Sequence, residues 1–595
     1  MSPLLESILP AVRDPLCSTL DASCLGRLLF VCKTTRDAAT AFLCREVTRL
    51  DNELGNIQKT PKPPAASYVM LKFIADVATR APKLAPHVEH RFDPLYFNPL
   101  YGGLIRNDGA RAIAFALKGN CTLRRLELQD SCISASGVKA LALAIKTSPA
   151  TLEDLALLYN RDMGVEGAKA LVPLLGGDSA LRKLNIYRTA IGDEGAKVIA
   201  IALESNTSLL EINLGANAIG PEGAVALAAA LRENTTLLTL KVGSNALGND
   251  GAKAIAEAIG AKSALHALDL CSNGVGTVGI DALAAALGTN STLWKLRLGG
   301  ADQICPYSAY ALAKALSAGS ALQELDLACS AHGVTGLGGY HGLGDDAAKR
   351  FGAGFAAHPS LLRVLRLARN NIGVEGARAL AAMLGVGSLR SLDLSSNHDI
   401  GDEGAAALAA ALVANPTSLL ELNLNYIRSG PAAATALATA LGANSALEKL
   451  SLNCTKVRDE GAKALAAALC TNSGLRELAL EDAFIGRAGA VALAQALASN
   501  TTLRELNISN SRDEMEGAAC ANHFRDAGAV AFAQALGENS TLVKLRLWGT
   551  GVGTRGCAAL RSALETNTTL EFVSVKNPQG NKPRTGGVTP CPRFS

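Results

Sequence analysis

No stretch of about eighteen uncharged apolar residues occurs in this chain. Its start, "MSPLLESILPAVRDPLCSTLD", lacks the basic opening of a secretory signal, and Glu6, Arg13 and Asp14 break any apolar core there. The expectation is a soluble protein of the cytoplasm or nucleus with no membrane partner. C-x-x-C spacing is absent as well: the fourteen cysteines among 595 residues stand singly, from Cys17, Cys24, Cys32 and Cys44 out to Cys591. That excludes a disulfide framework and gives no structural zinc site. Neither sign of charge dominates, since 57 Lys and Arg against 53 Asp and Glu leave +4, too even to predict attraction to nucleic acid. G-x-x-x-x-G-K-[ST], G-x-S-x-G and H-E-x-x-H are all missing, so a phosphate-binding loop, a nucleophile elbow and a zincin helix are excluded. His332 and His341 with Cys329, and Cys520 with His523, lack metal-ligand spacing. No cofactor is expected, and the chain reads as non-enzymatic.

What is present is a period. The pattern L-x-x-L-x-L starts at Leu123, Leu152, Leu181, Leu209, Leu237, Leu265, Leu293, Leu322, Leu362, Leu389, Leu419, Leu447, Leu475, Leu503, Leu542 and Leu570, sixteen copies in all. Most spacings are 28 or 29 residues, with 40 after Leu322 and 39 after Leu503. A constant period of this length means one supersecondary element pair stacked in a row.

Within a repeat, "LLEINL" alternates as a strand does, with Ile212 and Leu214 inward and Glu211 and Asn213 outward. A turn, "GANAIGPEG", leads to "AVALAAALREN", where Ala224, Leu227, Ala228 and Leu231 fall on one face of a helix of roughly three turns. Acceptor motifs for N-linked sugar recur at Asn206, Asn234, Asn290, Asn500, Asn539 and Asn567, each three residues before the first strand leucine, as is Asn120. Asn444 and Asn472 hold the same phase without the acceptor Ser or Thr. The phase marks them as repeat punctuation, with each asparagine expected to stop its helix in the left-handed conformation.

These repeats resemble leucine-rich repeats of the ribonuclease-inhibitor type, also found in the C-terminal arrays of NOD-like receptors and in the GTPase-activating protein for Ran. Counting the first leucine as position one, the ninth position, the family's usual asparagine, holds Asn160, Asn217, Asn245, Asn273, Asn370 and Asn397. Thr189, Thr455 and Thr550 substitute there, and Ala301, Ala483 and Ile427 depart. The resemblance implies an α/β fold: a right-handed solenoid, or horseshoe, over 101–577, with parallel strands on the concave face and helices on the convex face. Strand spacing of about 4.8 Å against helix spacing of about 8 to 10 Å makes such an array bend with its strands inside.

Outward strand positions are the expected site of a protein ligand. One stretch is acidic, with Glu421, Glu477, Glu481, Asp482 and Glu505; others are basic, namely Lys183 and Arg188 with Tyr187, Lys295 with Arg297, Arg366 with Arg369, and Lys544 and Arg546 with Trp548. Aromatics and arginine are enriched in binding hot spots. The two long repeats add eleven or twelve residues after the strand, around 329–346 and 511–528, and long loops on a rigid scaffold often carry function.

Residues 8–42 resemble an F-box: Leu9 and Pro10, then Leu20, Leu25, Leu28 and Val31 follow that family's order, although Pro15 interrupts the first helix and Thr35 stands where an aromatic is usual. The resemblance implies a substrate receptor of a cullin-type ubiquitin ligase, with Leu9, Pro10, Leu25 and Val31 contacting the ligase adaptor. A helical cap over the first repeat is the other reading of 1–57. Residues 58–100 read as a linker and 578–595 as a disordered basic tail. A stand-alone scaffold or intracellular sensor is an alternative function, and a GTPase activator a third; no catalytic arginine can be transferred for that one. The acceptor motifs are expected to be bare. The intact mass of the protein from its native source should show no glycosidase-removable hexose.

Overall fold

The alternation inside each L-x-x-L-x-L segment folds into a strand of three residues, and the apolar stripe that follows folds into a helix. The computed structural model describes residues 105–117, 123–147, 152–176, 179–260, 263–300, 304–317, 320–329, 342–357, 360–385, 388–414, 418–511 and 522–575. The expectations for 1–57, 58–100 and 578–595, including Leu9, Pro10, Leu25 and Val31, lie outside those residues, as do Ala301 and most of both insertions. The chain divides into two compact units, Met1–Leu247 with Ser263–Leu265, and Gly248–Lys262 with His266–Ser595.

The described part of the first unit alternates helices α1 (Arg106–Leu117), α2 (Ala135–Thr147), α3 (Gly164–Leu171), α4 (Gly192–Glu204) and α5 (Pro221–Glu233) with strands β1 (Arg125–Glu127), β2 (Asp154–Ala156), β3 (Lys183–Asn185), β4 (Glu211–Asn213) and β5 (Thr239–Lys241). The strands are parallel and pair in chain order, with Leu126, Leu155, Leu184, Ile212 and Leu240 in one register row.

The second unit continues the pattern with α6 (Gly248–Ala258), β6 (Ala267–Asp269), α7 (Thr277–Leu287), β7 (Lys295–Arg297), α8 (Pro306–Ser317), β8 (Glu324–Asp326), α9 (Gly344–Ala356), β9 (Val364–Arg366), α10 (Val374–Met383) and β10 (Ser391–Asp393). Then come α11 (Gly401–Ala414), β11 (Glu421–Asn423), α12 (Pro431–Ala443), β12 (Lys449–Ser451), α13 (Arg458–Leu469), β13 (Glu477–Ala479), α14 (Arg487–Ser499), β14 (Glu505–Asn507), α15 (Arg525–Glu538), β15 (Lys544–Arg546), α16 (Thr554–Thr566) and β16 (Phe572–Ser574). Its strands are again parallel and pair in order from Leu268 to Val573. These are leucine-rich repeats, built as a solenoid of parallel strands and helices.

Leucines of the strands and the Leu/Ala stripes of the helices form the core of each unit. Ala224, Leu227, Ala228 and Leu231 are all buried, on the face read from the sequence, and a fully buried leucine contributes about 1.5 to 3 kcal/mol. Gly223 lets α5 approach its neighbour, since a Cβ there would lie 2.6 Å from the Ile219 side chain and 3.1 Å from the Ala196 Cβ. The two long repeats carry buried phenylalanine pairs, Phe351 with Phe355 and Phe524 with Phe532, at centroid distances of 6.4 and 6.1 Å. Larger side chains thus fill the core in the repeats that also carry the insertions.

Three columns of polar side chains tie neighbouring repeats. At the ninth position, Asn160 Oδ1 accepts the Ser131 and Ile133 N–H groups at 3.1 and 2.9 Å, and its Nδ2 donates to Leu128 and Leu157 O at 2.8 Å. Asn217, Asn245 and Asn397 repeat this pattern. The turns so held contain non-glycine residues in the left-handed region, including Arg188, Ala190, Ala216 and Ala218, each of which costs about 1 kcal/mol or more. Where the ninth position holds Ile427 or Thr455, the strand-face asparagine two residues earlier ties the next repeat instead: Asn425 Oδ1 accepts the Asn453 N–H at 2.7 Å and Asn453 Oδ1 accepts the Glu481 N–H at 2.8 Å. After the second insertion Asn522 takes the ninth-position role, accepting from Ala483 and Ile485 and donating to Leu480 O. Asn510 and Asn522 also bond to each other at 2.8 and 3.1 Å, closing the base of that insertion.

The acceptor-motif asparagines form the second column, by a mechanism other than the one expected. Asn234 and Asn500 have φ/ψ of −78/121° and −76/129°, extended and not left-handed. They act through buried side chains, and Asn472, in the same phase, shows how: its Oδ1 accepts the Gly474 and Leu475 N–H groups, and its Nδ2 donates to Leu441 and Asn444 O at 2.7 and 3.0 Å. In the third column an aspartate caps the next repeat's helix. Asp193 Oδ1 accepts the Gly220 and Gly223 N–H groups at 2.7 and 2.8 Å, and Asp345, Asp402, Asp459 and Asp526 do the same for α10, α12, α14 and α16. An N-cap of this kind contributes about 1 kcal/mol.

Among the described residues, Ser429 Oγ is the buried side-chain polar atom left without a partner. Asn472→Ala should therefore lower stability by about 2 kcal/mol or more, read as a urea midpoint shift, whereas Ser429→Ala should leave the midpoint unchanged or raise it.

Candidate protein-binding face

Outward strand side chains at the third, fifth and seventh positions share one face in each unit, and the eighth-position residues line its rim. Many fifth-position residues close the turn that follows. Asn185, Asn213, Asp269, Asp326, Asp393 and Asn423 each accept the N–H two residues on, a local bond that Asx side chains make readily. What is presented outward is therefore held in fixed orientation.

In the first unit, Tyr187 and Arg188 meet around Tyr159, whereas Lys183 pairs with Glu211. The Tyr159 and Tyr187 rings meet edge to face at 5.5 Å, and the Arg188 guanidinium lies 5.7 Å from the Tyr159 centroid. Gly215 makes room for this: a Cβ there would fall 2.8 Å from the Tyr187 ring. Lys183 and Lys241 both reach Glu211, the former at 3.7 Å. Burial pushes the Glu211 carboxyl up, but the two lysines outweigh it and the net shift is downward. Tyr159 stands at the eighth position of its repeat, as Arg188 does in the next, so the register was the signal that could have found it.

In the second unit the basic groups are not separate patches. Arg297 bridges Asp269 at 2.7 Å and Asp326 at 3.1 Å, Lys295 meets Glu324 at 2.9 Å, and Arg366 also binds Glu324. Opposite charges therefore alternate on neighbouring strands from β6 to β9. Arg369 stands on the rim, exposed. Glu477 and Glu421 share Lys449, each at 3.3 Å. Lys544 and Arg546 share Glu505 at 3.3 and 3.1 Å, and Arg546 lies 5.6 Å from the Phe572 ring. Trp548, grouped with these two cations from the sequence, is half-buried. Glu481 and Asp482 differ from the rest: Glu481 accepts from Asn507 Nδ2 at 3.2 Å, and Asp482 accepts from the Ser511 N–H and hydroxyl. Neither bonds a cation among the described residues. Tyr426 beside them, 48 % exposed, was not anticipated.

Among the described residues, no group of three or more His, Cys, Asp and Glu side chains could hold a metal, and no helix is long and apolar enough to cross a membrane. His332, His341 and Cys520 lie outside them. Cys132, Cys271, Cys305, Cys329, Cys454, Cys470 and Cys557 form no disulfide.

A leucine-rich-repeat family model matches residues 119–142, 179–200, 205–228, 233–256, 358–381 and 388–409, and the TMOD/LMOD leucine-rich domain model matches 406–522. Among solved structures the chain is similar to the leiomodin-1 actin-binding site 2, at 22% identity over 26% of this chain and 88% of that chain, with a TM-score of 0.22. It is also similar to a chain of the yeast Rad7 and Elc1 complex, at 14% identity over 88% of this chain and 96% of that one, with a TM-score of 0.38. No curated protein matches the chain significantly.

Glu324 allows a test of how the paired charges hold the face. Burial pushes its carboxyl up, but hydrogen bonds from Lys295 and Arg366 outweigh this and leave it below its ordinary value of 4.5. A carboxyl held lower in the folded than in the unfolded chain stabilises the fold above its unfolded value, and that contribution is lost as pH falls through the folded one. Glu324→Gln should therefore show a smaller drop in melting temperature than the unsubstituted protein on acidification from about pH 5 to about pH 3.

Proposed function

We propose that the chain is a non-enzymatic protein-interaction scaffold that holds a protein ligand on its strand-bearing, concave face. One observation carries this reading: outward side chains stand in register on strand after strand, fixed by cross-strand ion pairs and buried polar columns. Such a face is pre-organised, so little ordering entropy is lost on binding. Tyr187 and Arg188 with Tyr159 offer aromatic and cationic contacts at one place, and Lys544, Arg546 and Trp548 do so at another. Arg297, Arg366 and Lys295 serve mainly to hold the face, because their charges are already matched.

The specific form of the function is a substrate-recognition subunit of a cullin-type ubiquitin ligase. The sequence order of Leu9, Pro10, Leu25 and Val31 supports it: they would bury against the ligase adaptor while the repeats hold the target. Both levels are tested by affinity capture with the full chain. Leu25→Lys together with Val31→Lys should abolish adaptor capture and leave the melting temperature unchanged, because a buried unpaired charge costs several kcal/mol at an interface. A full chain that captures no adaptor removes the ligase role and leaves the scaffold. Trp548→Ala should weaken partner binding by about 2 kcal/mol or more. A large stability loss with unchanged affinity would make Trp548 structural.

A further inference from the structure

Among the described residues, the strand face across β11–β13 carries more carboxylates than cations. Glu421, Glu477, Glu481 and Asp482 project there or at its rim, and Lys449 is the cation paired among them, lying 3.3 Å from both Glu421 and Glu477. Among the described residues, the donors to Glu481 and Asp482 are neutral: Asn507, Ser511 and the Cys454 thiol. Their field reaches the neighbouring rim residues. The Cys454 thiol is pushed up to about 11, first by burial and then by charges that include Asp482, whose carboxylate it meets at 3.7 Å. The Tyr426 phenol is pushed up to about 12, first by its bond with Cys454 and further by burial and by Asp482 and Glu481.

Tyr426 itself is held at φ 60°, a left-handed conformation in which a bulky side chain is strained, and the residue is 48 % exposed. Beside it, Asn425 and Asn453 point their Oδ1 atoms at backbone N–H groups, so their NH2 groups can donate to an incoming chain. We propose that this part of the strand face is a docking surface for a positively charged segment of a protein partner, with an arginine side chain received by Tyr426, Glu481 and Asp482. This rests on reading the strand face as the protein-binding face and adds the chemistry of what is bound. Arginine fits better than lysine, because a guanidinium stacks on an aromatic ring while its fork bridges carboxylates, whereas an ammonium is a point charge that keeps its water.

The test is fluorescence anisotropy of labelled deca-arginine with the full chain at about 150 mM salt, where long-range attraction is screened. Deca-lysine serves as comparator. Deca-arginine should bind about threefold or more tighter than deca-lysine. The charge-removing pair Glu481→Gln and Asp482→Asn should weaken it at least about tenfold, and Tyr426→Ala should abolish the preference for arginine. The pair Glu194→Gln and Glu222→Gln, on helices of the first unit, should change nothing. Equal loss in both pairs, or no loss in the first, overturns the proposal. Trp548→Ala should leave deca-arginine binding intact. Partner capture that survives Trp548→Ala counts against the strand-face reading, whereas deca-arginine binding that survives the Glu481 and Asp482 changes counts against this inference alone.

Discussion

Turns of this solenoid bury backbone N–H and C=O groups that neither strand nor helix can satisfy, and in repeat after repeat among the described residues side-chain amides from the adjoining repeat satisfy them. A buried orphan costs about 1 to 3 kcal/mol, so an array without these columns would lose at each repeat much of what its leucines gain. Asparagine suits the role because its Oδ1 can accept from two N–H groups while its Nδ2 donates to two carbonyls, as Asn160 and Asn472 each do. The same columns hold Arg188 and Ala216 in left-handed turns, and so decide which side chains reach the rim. Recognition chemistry is thus downstream of hydrogen-bond accounting.

Most of the fold could be read from the chain because the fold is local and repeated. A slip of register cannot persist when sixteen copies must agree. The inward pair Ile212 and Leu214 and the helix face of Leu227 and Leu231 lie where alternation and helical spacing put them. Conformation at Asn234 and Asn500 was less readable. Helix-stopping asparagines are commonly left-handed, but here the side chain finds better partners across the repeat boundary, and that leaves the backbone extended. Asn522 escaped notice because the insertion moves it away from its expected offset, and only the bonds to Ala483 and Ile485 reveal its role.

At the candidate face, residue types were readable and their pairings were not. Arg297 looks like a free cation until β6, β7 and β8 are laid in register and Asp269 and Asp326 fall on either side of it. Interactions between residues 28 or 29 positions apart dominate this face, whereas composition along one strand sees only its immediate neighbours. Glu481 and Asp482 stand out by the reverse logic, as charges whose cross-strand neighbours supply no opposite sign.

The aspartate caps give the array a polarity that its repetitive appearance hides. Each of Asp193, Asp345, Asp402, Asp459 and Asp526 completes the helix that comes after it in the chain, while the ninth-position asparagines complete the turn that comes before. Shortening such a protein from its two ends is therefore not equivalent. Removal from the front leaves a helix start bare, removal from the back leaves a turn open, and a repeat excised from the middle mends cleanly only if both of its neighbours carry the matching residue.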